Sequence, residues 1–256
     1  MWPKPHGPRE DTVPGTGLSG RRGGRAWRAS PGLRHTALVT TPDIPRVLGA
    51  WRAAGAHVDL GEPADDALLA RAESELRFPL PQEVRELYSA CNGMSLASGD
   101  LVLHPLVGPG SEGVTTASKQ LREWDWPVPE ELLVLGGNGG DEVLGVWVVP
   151  EARRTLVVMM GSPSDEPDLA VFGTGLAGFL AAWSAFYLPL GDPGDDPAIA
   201  DALAELGAPA PQTGPDDEEH FLRLLAWASP DLPDPRPDPY GSPVAPADLT
   251  RLALQP

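Results

Sequence analysis

Residues 64–93 read ADDALLARAESELRFPLPQEVRELYSACNG, and this stretch decides the fold. The spacing predicts a helix from Ala64 to Leu76, opened by Pro63 and Asp65-Asp66, whose acids suit the positive end of a helix dipole. Leu68, Leu69, Ala72 and Leu76 form its apolar stripe. A second helix follows at once. Pro81 suits its first turn, where the missing N–H is not needed, and Val84, Leu87 and Tyr88 recur on one face. Asn92-Gly93 is expected to supply a left-handed stop.

Working outward, Ile44, Val47, Leu48 and Trp51 repeat at i, i+3, i+4, i+7 after Thr41-Pro42, which predicts one more amphipathic helix ahead of the pair. Beyond Gly99 the period changes. Short apolar runs at Leu101 to Leu106, Leu132 to Leu135, Val143 to Val149, Thr155 to Met160 and Ala170 to Phe172 read as strands. The Gly136 to Asp141 connector and the Glu151 to Arg154 segment read as turns, so neighbouring strands are expected to be antiparallel hairpins. Leu176, Phe179, Leu180, Trp183, Phe186 and Tyr187 return to helical spacing, a helix expected to close over the sheet. Helices, then strands, then a helix is the order of an α+β domain with its helices gathered on one side of the sheet.

The chain has 256 residues, with 31 Pro, 29 Gly and a net charge of −17. These are unevenly spread. Residues 1–34 hold seven basic and two acidic residues among Gly, Pro and Arg, and read as an unfolded leader. It lacks the apolar core of a signal peptide, and its Arg21-Arg22 is followed by basic residues where a twin-arginine signal needs apolar ones. With 17 Arg and two Lys, the chain looks like the product of a GC-rich gene, and translation is expected to begin near Val39. The expected division is therefore 1–38 as leader, 39–188 as the α+β domain and 189–256 as an acidic, Pro-rich extension. The extension carries three basic and thirteen acidic residues. Two helices are expected in it, near Ile199 to Leu206 and Glu218 to Ala228, with a third near Ala247 to Leu254. Between the last two, seven prolines from Pro230 to Pro246 forbid helix and central strand and predict an extended, polyproline-like linker.

The elements Ala72-Glu73-x-x-Leu76, Leu80-Pro81-x-x-Val84 and Asn92-Gly93 resemble the opening motif of the SMI1/KNR4 family, also called the SUKH superfamily. Further pieces come in the same order: Leu101 to Leu106 as "L-x-x-x-P-L", Gly137 to Asp141 as "G-N-G-G-D", and Phe179-Leu180 in the closing helix. The resemblance covers roughly residues 40–188, with Pro79 a departure and residues 189–256 outside it. It implies an α+β domain that works by binding other proteins. Many bacterial members are similar to immunity proteins that neutralise toxins encoded beside them, and fungal relatives resemble signalling scaffolds. No catalytic residues come with the resemblance, and no enzyme is expected.

The residues themselves point the same way. One cysteine, Cys91, excludes a disulfide framework and a multi-cysteine metal site, and on its apolar helix face it reads as a core thiol. The five histidines lack metal-ligand spacing, and the glycines at 136–140 lead to a strand without the Lys-Ser/Thr of a phosphate loop. No metal or cofactor is expected. No apolar run approaches the roughly 18–20 residues of a membrane span, so the protein is expected in the cytoplasm. Its acidity repels nucleic acid and anionic membranes and attracts a basic protein. The candidate interface is Trp124, Asp125, Trp126, Glu130, Glu131, Asp141 and Glu142. Two readings stand for the tryptophans: exposed interface anchors, or plugs at the edge of the core. The alternative function is a scaffold whose Pro-rich tail recruits a polyproline reader.

Overall fold

The computed structural model describes residues 42–96, 101–108, 113–123, 130–138, 142–149, 152, 155–161, 169–190, 196–209, 217–231 and 244–255, all within the unit Thr40–Pro256. Helix α1 (Ile44–Ala53) starts at Asp43, whose carboxylate accepts the Arg46 N–H at 2.9 Å, with Pro in the first turn. It buries Trp51 completely, and the indole donates to Ser184 Oγ at 2.8 Å. Helix α2 (Asp66–Leu76) is capped in the same way by Asp65 on Leu68 N, at 2.7 Å. It stops at Arg77, which takes the left-handed conformation (φ 66°), the one non-glycine residue with positive φ among those described.

Helix α3 (Gln82–Ala90) has Pro81 as its N-cap. Its end departs from the expected left-handed stop: Cys91 turns extended at φ −154°, and positive φ comes only at Gly93 (99°). The next element is the reason. From Cys91 the chain must run straight into strand β2 (Met94–Leu96), which pairs with β1 (Val58–Leu60) on one side and β3 (Val102–Leu103) on the other.

Among the described residues, seven antiparallel strands lie side by side in chain order, completed by β4 (Leu132–Gly137), β5 (Val143–Trp147), β6 (Leu156–Met160) and β7 (Leu169–Thr174). Leu135 is an extra residue in β4 and Phe172 one in β7, where the registers shift. Such bulges bend and twist a strand. The bulged Phe172 enters an aromatic cluster with Phe179 and Trp183 of α5 (Leu176–Tyr187), at ring separations of 6.1 and 6.2 Å.

The helices are not gathered on one side of the sheet. Strands β4, β5 and β6 are buried at every position, so both faces are covered. The main core joins one face to α1, α3 and α5. The second core holds Leu132, Val134, Trp147, Leu156, Val158 and Val171 under Ala117 of α4 (Val114–Glu123) and Leu249, Leu252 and Ala253 of α8 (Pro246–Leu254). Runs such as Leu-Val-Val-Met-Met at 156–160 carry this signature, because a strand with one wet face alternates while one buried on both faces does not.

Helices α6 (Pro197–Leu206) and α7 (Asp217–Ala228) of the C-terminal extension pack on α1 and α5 respectively. Phe221, Leu224, Leu225 and Ala228 of α7 belong to the main core. A Cβ on Gly178 would stand 2.4 Å from the Ala228 carbonyl oxygen, so α5 and α7 meet backbone to backbone.

Candidate functional site

The motif residues hold the fold together. Glu73 Oε1 accepts from Leu80 N at 3.0 Å and from Arg85 Nη2 at 2.6 Å, tying the end of α2 to the linker and to α3. Those contacts, the Leu80 N–H first and the Arg85 guanidinium with it, hold the Glu73 carboxyl below its ordinary range against an opposing effect of burial. A carboxyl depressed in the folded protein contributes stability above its unfolded pKa and loses it as pH falls through the folded value. Glu73→Gln is therefore expected to lower unfolding free energy by about 1 kcal/mol at pH 7, the ordinary worth of a partly solvated hydrogen bond. Denaturant melts should show that gap narrowing as pH falls through the depressed range of the Glu73 carboxyl.

Glu83, within the Leu80-Pro81-x-x-Val84 element, reaches across the molecule to α5. Its two carboxylate oxygens accept from Leu176 N (3.0 Å) and Ala177 N (3.2 Å), satisfying donors that a helix N-terminus leaves orphaned. Gly175, the N-cap, has φ 86° and no side chain to serve. Asn92 Oδ1 accepts from Leu106 N at 2.7 Å, and Tyr88 donates its hydroxyl to the His104 carbonyl at 2.9 Å.

Sites for a ligand lie elsewhere. A cleft of about 400 Å³ opens between the α2–α3 linker and the end of β5. Phe78, Pro79, Leu80 and Pro81 form one wall, and Trp147, Val148, Val149 and Ala152 the other, with Gln82 and Thr155 as the polar members. The extended Phe78-Pro79-Leu80-Pro81 segment exists because the left-handed Arg77 ends α2 and two prolines keep the chain out of helix until Gln82. Phe78, Val148 and Val149 are half-buried and Pro79 is exposed, which leaves apolar surface within reach of a partner. Among the described residues the lining carries no titratable side chain, and these offer apolar contact, main-chain groups and the side chains of Gln82 and Thr155.

Glu130 and Glu131 sit beside this cleft. Both are exposed at the start of β4, and the Glu131 carbonyl accepts the N–H of Val148, a cleft residue, at 2.7 Å. Glu86, exposed one turn along α3, accepts from Gln82 Nε2 at 2.8 Å and adds a third acid near the cleft. Glu142 is not part of that cluster. It precedes Val143, which pairs with Gly137 at the far end of β4, so the strand's length of about 17–20 Å separates it from Glu131. There it accepts from Asn138 Nδ2, and burial pushes its carboxyl up. Trp124, Asp125, Trp126 and Asp141 lie outside the described residues. The sequence reading missed the cleft, whose signal was the Pro79 departure itself.

Other chemistry is thinly represented among the described residues. Cys91 is buried, and burial pushes its thiol up to about 11, away from the thiolate a nucleophile needs. No group of three or more His, Cys, Asp and Glu converges as a metal would require, and no helix is long and apolar enough to cross a membrane. His57 Nε2 and Asp196 Oδ2, 2.8 Å apart, join the segment after α1 to the N-cap of α6.

Comparison with curated proteins finds no match. Comparison with protein families finds one over residues 63–181, described as the SMI1 / KNR4 family (SUKH-1). That span starts just before α2, takes in β2 to β7, and ends inside α5. It contains Glu73, Glu83 and Asn92 together with the bonds they make, as well as the whole cleft. Residues 63–181 thus match the SMI1 / KNR4 family (SUKH-1) over a stretch of α+β architecture.

Proposed function

We propose that the chain is a non-enzymatic, cytoplasmic protein-binding module that neutralises a basic partner, in the manner of the immunity-type members of that family. The observation that carries this reading is the acidic charge set around an apolar groove. With a net charge of −17, the molecule draws basic proteins toward it, and exposed Glu130, Glu131 and Glu86 stand beside the cleft where apolar contact is available. Charge of this kind steers encounter and selects partners, while the apolar surface slows dissociation.

The test uses the full chain as bait in native lysate, washed at low and then high salt, followed by kinetics on the captured protein. A single basic protein released by salt is expected. Glu130→Lys combined with Glu131→Lys should slow its association by about tenfold at low salt, with less effect at high salt. Partners that resist salt, and are lost when residues 189–256 are removed, would replace this reading with the scaffold one.

A further inference from the structure

The second face of the sheet carries an inference of its own. Leu132, Val134, Trp147, Leu156 and Val158 lie within the family span and are buried to 1% exposure or less. Yet α8, which helps cover them, lies outside that span. We propose that this face is a docking site for a short amphipathic helix presented by another protein, and that α8 is a displaceable occupant held in place by its own chain. The partner helix is defined by what α8 supplies. It needs small and medium apolar residues at i, i+3 and i+4, as in Leu249, Leu252 and Ala253, and a hydroxyl at the position of Thr250, whose Oγ1 accepts the Trp147 indole N–H at 3.2 Å.

The hold on α8 is slight. It has nine residues, fewer than the roughly 12–15 a helix needs to persist alone. No side chain caps its N-terminus. Its ion pair, Arg251 to Asp248, is exposed and internal to the helix, so it does not tie α8 to the sheet. A main-chain bond from Val244 N to the Leu169 carbonyl, 2.7 Å long, marks where the chain reaches the sheet. Leu254, the one exposed large apolar side chain among the described residues, is also on this helix, at 41% exposure. Helix α8 is joined to the rest of the domain through its own chain. A tethered helix is favoured over a free one only by its effective concentration, so a partner with a better stripe displaces it.

Hydrogen exchange on the full-length protein tests this first. Amides of residues 249–254 are expected to exchange at least about a hundredfold faster than those of β5, through an opening that leaves the sheet intact. Equal protection of α8 and β5 would overturn the proposal. A labelled peptide of residues 243–256 then serves as the partner helix. It should bind full-length Leu249→Asp/Leu252→Asp at least about tenfold more tightly than the wild type, while a peptide with the same two substitutions binds neither. No binding to a folded double variant overturns the proposal. If that variant does not fold, excess peptide added to the wild type decides: faster exchange of α8 with an unchanged sheet supports displacement, and no change overturns it. Exchange that instead rises with protein concentration, alongside a dimer in light scattering, would assign the face to a second copy and overturn the partner stated here. Peptide binding should be insensitive to salt. Its failure is thus separable from failure of the acidic, salt-dependent capture proposed above.

Discussion

Gly136→Ala is expected to destabilise the protein by about 3 kcal/mol or more, at the upper end of the cost of forcing atoms into a packed interior. A Cβ at this position would lie 1.8 Å from the Val102 carbonyl oxygen and 3.0 Å from Leu103 Cα, both backbone atoms of β3. No rotamer relieves that. Either β3 leaves the sheet or β4 shifts, and β3, only two residues long, has little other pairing to hold it. Gly55→Ala is the comparison. There φ is +60° but nothing lies within 4 Å of the new methyl, so the cost is the left-handed strain alone, about 1 kcal/mol. Urea unfolding of the two variants beside the wild type checks the prediction. Similar midpoints for both would mean that β3 and β4 do not approach so closely.

Phe221→Ala is expected to cost about 3–5 kcal/mol, the usual loss for a buried aromatic truncated in a core. Phe221 stands on α7, beyond the end of the family span, yet it is 2% exposed. Its ring lies 5.0 Å from that of Phe186, 5.5 Å from Trp183 and 6.1 Å from Phe172. Removing it leaves a cavity at the centre of the aromatic cluster that joins α5, α7 and the bulge in β7. Thermal unfolding gives the readout, and a loss below 1 kcal/mol would mean that α7 is an appendage. The expected large loss makes α7 part of the cooperative unit, in contrast to the lightly held α8.

Much of the architecture is legible in the sequence because its apolar spacing is regular. The helical stripe of Ile44, Val47, Leu48 and Trp51, and that from Leu176 to Tyr187, fall inside α1 and α5. Strands β4 to β7 fall on the apolar runs. The elements that escape notice are short or polar. Strands β1 and β2 have three residues each, too few to display a period, and they form only because neighbouring strands supply partners, while the run from Leu101 to Leu106 yields only the two-residue β3. Helix α4 reads Val-Thr-Thr-Ala-Ser-Lys-Gln-Leu-Arg-Glu, with three hydroxyl residues in its first half and no apolar stripe to announce it. Thr115 and Ser118 are buried nonetheless, and Ser118 accepts the Val134 N–H at 3.1 Å.

The candidate site is legible only in part. Acidic pairs are visible in a sequence, but their grouping depends on strand register, which places Glu131 and Glu142 at opposite ends of one strand. The motif is likewise visible without its purpose. Glu83 and Leu176 are 93 positions apart, and no local pattern declares that the first caps the second.

That carboxylate has a kinetic consequence as well. Each strand of the sheet pairs with its neighbours in the sequence, so the ladder can assemble by successive hairpins, each closing a loop of modest entropy. The bonds from Glu83 to α5, and from Trp51 to Ser184 across 133 positions, close only when the two ends of that ladder have been brought together. Contacts that close so late are expected to be absent from the folding barrier, so Glu83→Gln should speed unfolding in stopped-flow measurements while leaving the rate of folding almost untouched, the behaviour of a latch on the finished molecule.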